Sequence, residues 1–414
     1  MKITLKSSNV IVTLMVAACS LHVLRNLSNF YFVLYGLVIL IAWLMFYSYQ
    51  GEKKSPINLA ISVLWIYAAL LSIITYLTSD IKIESPLIGI QRLFFTLPVL
   101  LIITSYSSFV NNLIVYKVAL FFGIIGALSI PYQISFGTIE WLAEPGERAG
   151  LVRHTTILGS LTTYGALVGA YILATLYLVK NNIKSFLIIT ILIVGAIYSL
   201  QKAAILSISL AFIFAYILNL IDIRKIIFLI VVIAIVGIIL YSIIDYEYLT
   251  GFQLFFQNMF GLGDASKYSD VTMTESINSR LSELPAELVK LWGLSHMLLG
   301  IGVYGAGGGL GYPGLPHPHN LVIELFSMFG VLSFFIFLLS IRFVISAVKV
   351  IVRRENKCSF EAFNLGMILL TVLPAILSGG LIYHPVSGII FFNALTSFYK
   401  FKKSQRALSF PLQQ

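Results

Sequence analysis

Charge is what this chain has least of. Only 11% of its 414 residues are Asp, Glu, Lys or Arg, against about a quarter in an ordinary soluble domain. That shortage, with 59% hydrophobic residues and a mean hydropathy of +0.95, excludes a conventional water-soluble globule. Cysteine is nearly absent too. Cys19 falls inside the first apolar run and Cys358 in a basic connection between two later ones, so no disulfide framework is expected. No Walker or dinucleotide-binding glycine spacing occurs, which removes the common nucleotide-cradling loops. No internal repeat divides the chain into related halves, as many transporters would show.

What is present is a succession of apolar runs of roughly 17 to 25 residues, each long enough to cross about 30 Å of hydrocarbon. The pattern predicts an all-α, polytopic membrane protein of about 12 transmembrane helices, with residues 1–414 forming one membrane domain. The predicted spans are 8–24, 30–49, 57–78, 87–105, 113–134, 155–179, 184–200, 203–220, 225–243, 320–348, 361–379 and 386–400. One long outside loop, 245–319, separates the ninth from the tenth.

Charge, though scarce, is unevenly placed. With both termini in the cytoplasm, sixteen of the 27 Lys and Arg residues fall inside and eight outside, satisfying the positive-inside rule. The net charge of +10 is then explained by cytoplasmic loops facing anionic membrane lipids, and no nucleic-acid partner is required. Val16-Ala17-Ala18-Cys19 has the look of a lipoprotein cleavage site, but a retained first helix keeps the charge distribution consistent. His22, near the outer end of that helix, reads as an interfacial or packing group.

The outside connections hold most of the unusual polar residues. Arg92, beside Gln91 near the outer end of the fourth span, must either snorkel to the interface or face a polar cavity. The segment GTIEWLAEPGERAGLVRHTT offers Trp141 as an interfacial anchor and Arg148, Arg153 and His154 as a polar cluster. Those arginines either pair with Glu140, Glu144 and Glu147 or form a cationic lip for an anionic substrate. Lys202 is the one charge between the seventh and eighth spans. It reaches headgroups or a cavity in the outer half of the bundle.

Within 245–319, the stretch TESINSRLSELPAELVKLWG repeats apolar residues at Ile277, Leu281, Leu284, Leu288 and Leu291. That spacing predicts an amphipathic helix, or a helix pair bent at Pro285. Arg280 borders the apolar stripe, where it either pairs with Glu283 or faces a ligand. Eight glycines then crowd the stretch from Gly300 to Gly314, read as a flexible loop.

The loop leads into Pro316 to Gly330, PHPHNLVIELFSMFG. Asn320 is a preferred helix cap for a long helix from Leu321 to Val352. His317 and His319 precede it, and three roles are open to them: metal ligands, helix capping, or general base and substrate orienter. A third and fourth metal ligand are missing from the outside loops, so no metal or other cofactor is expected. Glu324, inside an apolar helix, calls for a partner such as Arg92 or Arg280.

Gly300-x-Gly302, His319-Asn320 at the mouth of a span, Glu324 within it and Gly330 beyond it resemble the signature of the bacterial O-antigen polymerase and O-antigen ligase family. Arg280 resembles that family's periplasmic-loop arginine, and Arg148 or Arg153 the arginine preceding the sixth span. Lys202 stands where an arginine is common, and Ser333 where a second glycine is common. The resemblance implies a C-type glycosyltransferase of the bacterial inner membrane, with its active site facing the periplasm. It would take lipid-linked oligosaccharide donor and acceptor, with a chain-length regulator as a further partner. His319 would assist deprotonation of the acceptor. Arg280, Lys202, Arg148 or Arg153 would hold the undecaprenyl diphosphate, with Arg92, Asn320, His317 and Glu324 completing the site. Polymerase, ligase to lipid A core, and lipid-linked glycan transporter are the readings in that order.

Overall fold

The computed structural model describes residues 5–47, 56–78, 96–105, 113–142, 146–148, 151–159, 161–218, 221–228, 231, 250–251, 253–255, 257, 282–283, 286–287, 289–290, 293–302, 320–352, 360–378 and 384–408. Among the described residues the fold is all-α apart from one short ribbon. Its elements are α1 (Leu5–Ser20), a 3-10 turn (His22–Asn26), α2 (Phe30–Tyr47) and α3 (Pro56–Thr78), then α4 (Thr96–Ser105). These are followed by α5 (Leu113–Phe136), β1 (Gly146–Arg148), β2 (Leu151–Arg153), α6 (Leu161–Leu178), α7 (Asn182–Tyr198) and α8 (Lys202–Ile217). The C-terminal part supplies α9 (Leu294–Leu299), α10 (Leu321–Phe329), α11 (Leu332–Val352), α12 (Phe360–Ser378) and α13 (Pro385–Leu408).

Two described helices, Asn58–Thr78 within α3 and Leu113–Phe136, are by length and composition long and apolar enough to cross a membrane. Nine further apolar helices are shorter than that measure. Their outward faces are apolar: Leu34, Leu37, Leu40 and Ile41 on α2 and Phe334, Phe335, Leu338 and Leu339 on α11 are all about half exposed or more. A large apolar surface of this kind suits a lipid environment.

The core is organised around α6, in which Tyr164, Leu167, Val168 and every residue from Ala170 to Ala174 are buried. Small residues let its neighbours approach closely. Ala204, Ser207, Ala211 and Ala215 line the buried face of α8. The Ser207 hydroxyl donates to the Ala166 carbonyl (2.9 Å) and accepts from the Gly169 amide (3.0 Å). The Tyr164 hydroxyl donates to the Leu192 carbonyl of α7 (2.9 Å). Tyr116 of α5 donates to Asn364 of α12 (2.6 Å). In hydrocarbon each such bond satisfies a group that has no water to turn to.

Three expectations change. The helix predicted from Leu321 to Val352 is broken: α10 ends at Phe329 and α11 begins at Leu332. The cause is Gly330, whose φ of 55° lies outside the helical range. The sixth span, predicted from residue 155, starts at Leu161, because Thr156 and Gly159 close a bridged turn ahead of it. The connection before it contains an antiparallel ribbon, with Gly146 opposite Arg153 and Arg148 opposite Leu151. In the amphipathic stretch of the long loop, residues 282–283, 286–287 and 289–290 are helical.

Candidate functional site

Asn320 occupies the position its residue type predicts. Its backbone is extended and its side-chain oxygen accepts from the amides of Val322 (2.9 Å) and Ile323 (3.4 Å). Two of the unpaired donors at the start of α10 are thereby satisfied. The residue is buried. One turn further on, Glu324 is completely buried, its amide bonded to the Asn320 carbonyl (2.9 Å). Asn320, Glu324 and the buried Ser327 recur at helical spacing and so share a face. Leu321, Leu325 and Met328 instead pack on Ile61, Trp65 and Ala68 of α3, Leu100 of α4 and Ala375 of α12.

The far end of α10 meets a strap that sequence reasoning did not anticipate. Residues 298–302 run along residues 327–331, with Ile301 donating to the Ser327 carbonyl (2.8 Å) and Val331 to the Leu298 carbonyl (2.8 Å). A Cβ on Gly300 would stand 2.5 Å from the Met328 carbonyl oxygen, and one on Gly302 2.5 Å from the Ser72 amide. The Tyr67 hydroxyl of α3 donates to the Leu299 carbonyl (2.7 Å). The first two glycines of the crowded segment are thus buried in close packing, with Ile301 between them hydrogen-bonded to α10, and are not part of a flexible loop. Gly305 and the glycines after it lie outside the described residues. Ser333 also adds something a glycine could not, a hydroxyl bonded to the Gly330 carbonyl (2.7 Å) at the helix break.

A second polar corner forms where α7 passes into α8. Leu200 turns the chain with a φ of 49° and is buried with Leu151 of β2 and Phe255. This contact sets the ribbon against the corner. Arg153, at the end of β2, donates from Nε to the Ser199 carbonyl (3.4 Å), three residues before Lys202, the first residue of α8. Arg153 and Lys202 are each partly exposed, so one corner presents two cations. Arg148 lies in β1 opposite Leu151. His154 next to Arg153 is buried, and burial lowers its pKa from the usual histidine value, favouring the neutral ring.

The structure therefore places Asn320 and Glu324 on α10, and Arg153 and Lys202 together at the α7–α8 corner. Helix α12 packs against α6 and α8 as well as α10, so both groups border one bundle. His319, His317, Arg280 and Arg92 lie outside the described residues. Among the described residues no three His, Cys, Asp or Glu side chains group as a metal site. The Arg153 contact had only a weak sequence signal, the ribbon's GERAGLVR turn. The strap had one signal, the Gly300-x-Gly302 spacing, and nothing named its partners on α3. No family model, no curated protein and no solved structure matches this chain.

Proposed function

We propose that this chain is a multi-pass glycosyltransferase of the bacterial inner membrane. It polymerises undecaprenyl-diphosphate-linked O-antigen or related repeat units at the periplasmic face without a metal. Both termini face the cytoplasm, twelve helices span the membrane, and 245–319 is the principal periplasmic segment. The observation that carries the reading is the anchoring of the segment that bears the two histidines. Gly302 packs closely against α3 and Asn320 caps α10, and in the sequence His319 is the residue directly before that cap. A catalytic group needs that kind of support.

In the proposed reaction an acceptor sugar hydroxyl attacks the anomeric carbon of the donor. His319 receives the hydroxyl proton as the new glycosidic bond forms, and the bond to the lipid diphosphate breaks. Negative charge then grows on the departing diphosphate. Lys202 and Arg153, at one corner, with Arg280 and Arg148, would stabilise it. Arg92 and His317 would contact substrate, and buried Glu324 would orient one of the cations or the acceptor.

One assay tests the reading and separates it from its neighbours. Purified full-length protein is supplied with lipid-linked repeat units alone, and then with lipid A core added. Longer lipid-linked glycans without core are the expected product. Product only when core is present would make the protein a ligase, and no new glycosidic bond in either case would overturn the proposal in favour of transport.

A further inference from the structure

The contact between His22 and His384 belongs to neither polar group described above. Their rings meet edge to face with centroids 4.6 Å apart, although 362 positions separate them in sequence. His22 opens the 3-10 turn after α1. His384 precedes α13 and its carbonyl accepts from the Gly388 amide (3.0 Å), starting that helix. Against both rings lies Gly159, with a φ of 104°. A Cβ there would stand 2.9 Å from Nε2 of His22 and 3.4 Å from Nε2 of His384. Both the backbone angle and the space require glycine. Gly159 closes the turn with Thr156, each amide donating to the other's carbonyl (2.9 and 3.3 Å). Six residues earlier the same connection carries Arg153.

We propose that His22, His384 and Gly159 form an acid-sensitive latch that holds the Arg153-bearing connection onto the outer ends of the first and last helices. Both ring nitrogens of His384 are shut off from solvent without a hydrogen bond of ordinary geometry. Burial, then the neighbouring His22 and Arg25, push its pKa well below the usual value, offset in part by the Leu158 carbonyl. The remaining charged and titratable groups on the surrounding elements, within the described residues, are Lys6 and Cys19 of α1, Tyr31 and Tyr35 of α2, and Tyr116, Lys117 and Tyr132 of α5, with Lys6 and Lys117 at the opposite ends of their helices; the first turns of α13 carry none, and the connection itself adds Glu140, Glu147, Arg148, Arg153 and His154. Among the described residues the carboxylates on these elements are Glu140 and Glu147, and the neighbours that act on the His384 ring are His22, Arg25 and Leu158, with neither carboxylate among them.

The sign follows from where the proton binds. A ring freed from the latch titrates near pH 6.5 while the latched ring resists protonation, so the latch is intact above that value and weakens as pH falls below it. At pH 5.0 the opened state gains about 30-fold from protonation of the freed His384 ring. Its consequence for the diphosphate corner rests on the proposed function. The latch itself does not, and its test uses no activity.

The test is hydrogen exchange of the purified full-length protein in detergent at pH 7.5 and 5.0, with exchange times scaled to remove the intrinsic pH dependence. The amides of Thr156 and Gly159 should lose protection by about 30-fold or more at pH 5.0, while buried amides of α6 keep theirs. His384→Gln should abolish that pH dependence, and His22→Gln should reduce it. Gly159→Ala should lower protection already at pH 7.5 and leave little further change in acid. Equal protection of the wild-type turn at both pH values would overturn the proposal without bearing on glycosyl transfer. An undiminished acid response in a folded His384→Gln protein would do the same.

Discussion

At the scale of single residues the assignments divide by what holds each side chain. Asn320 is a cap, so Asn320→Ala should cost about 0.5–2 kcal/mol of stability, seen as a lower melting temperature in detergent. His319 is proposed as the base, so His319→Ala should lower the transfer rate by on the order of 10²- to 10⁴-fold at an unchanged melting temperature. His317, flanked by two prolines and not set at a helix start, should tolerate alanine with substantial activity. A His319→Ala rate within a few-fold of wild type at equal protein level would reduce that histidine to a structural role. Asn320 was legible in the sequence because capping is a local property of residue type and position. The bond from Arg153 to Ser199 was not, since it joins positions 46 apart through a ribbon that three-residue strands scarcely signal.

At the scale of elements, α10 is the informative case. Its apolar composition continues unbroken into α11, so hydropathy alone predicts one long helix. What divides them is backbone geometry at Gly330, where a Cβ would collide with the Leu298 carbonyl. Gly330→Ala must both adopt a positive φ and displace the strap, so it should destabilise by more than the roughly 1–3 kcal/mol of backbone strain alone. A melting temperature within a degree of wild type would show that the strap is dispensable. Lys202→Arg, by contrast, keeps the charge at the start of α8 and adds a bidentate fork. It should preserve the transfer rate, whereas Lys202→Ala should lower it measurably with lipid-linked donor. The helix start at Asn320 could be read from residue type, whereas the break at Gly330 was missed, because the apolar pattern runs on through it. The strap's seat on α3 could not be read either, because neither partner announces the other in sequence.

At the scale of the whole molecule, apolar runs and basic connections gave the all-α membrane reading and its orientation. A cysteine introduced at Ser266, which lies outside the described residues, should be labelled by an impermeant reagent in cells with permeabilised outer membranes. Protection there would argue against the proposed topology. The bond from Tyr67 to the Leu299 carbonyl, 232 positions apart, also has a meaning for biosynthesis. Tyr67 is the midpoint of the 23-residue α3, a helix about 34 Å long, so residues 298–302 are seated against the middle of a helix that leaves the ribosome far ahead of them. The part of α3 around Tyr67, Ala68 and Ser72 that takes them must stay vacant, or be covered by something temporary, until most of the chain has been translated. Maturation of this protein is therefore paced by its C-terminal third. A nascent chain arrested before residue 293 should carry its early helices in the membrane yet remain sensitive to proteolysis at α3, whereas release after residue 352 should bring resistance.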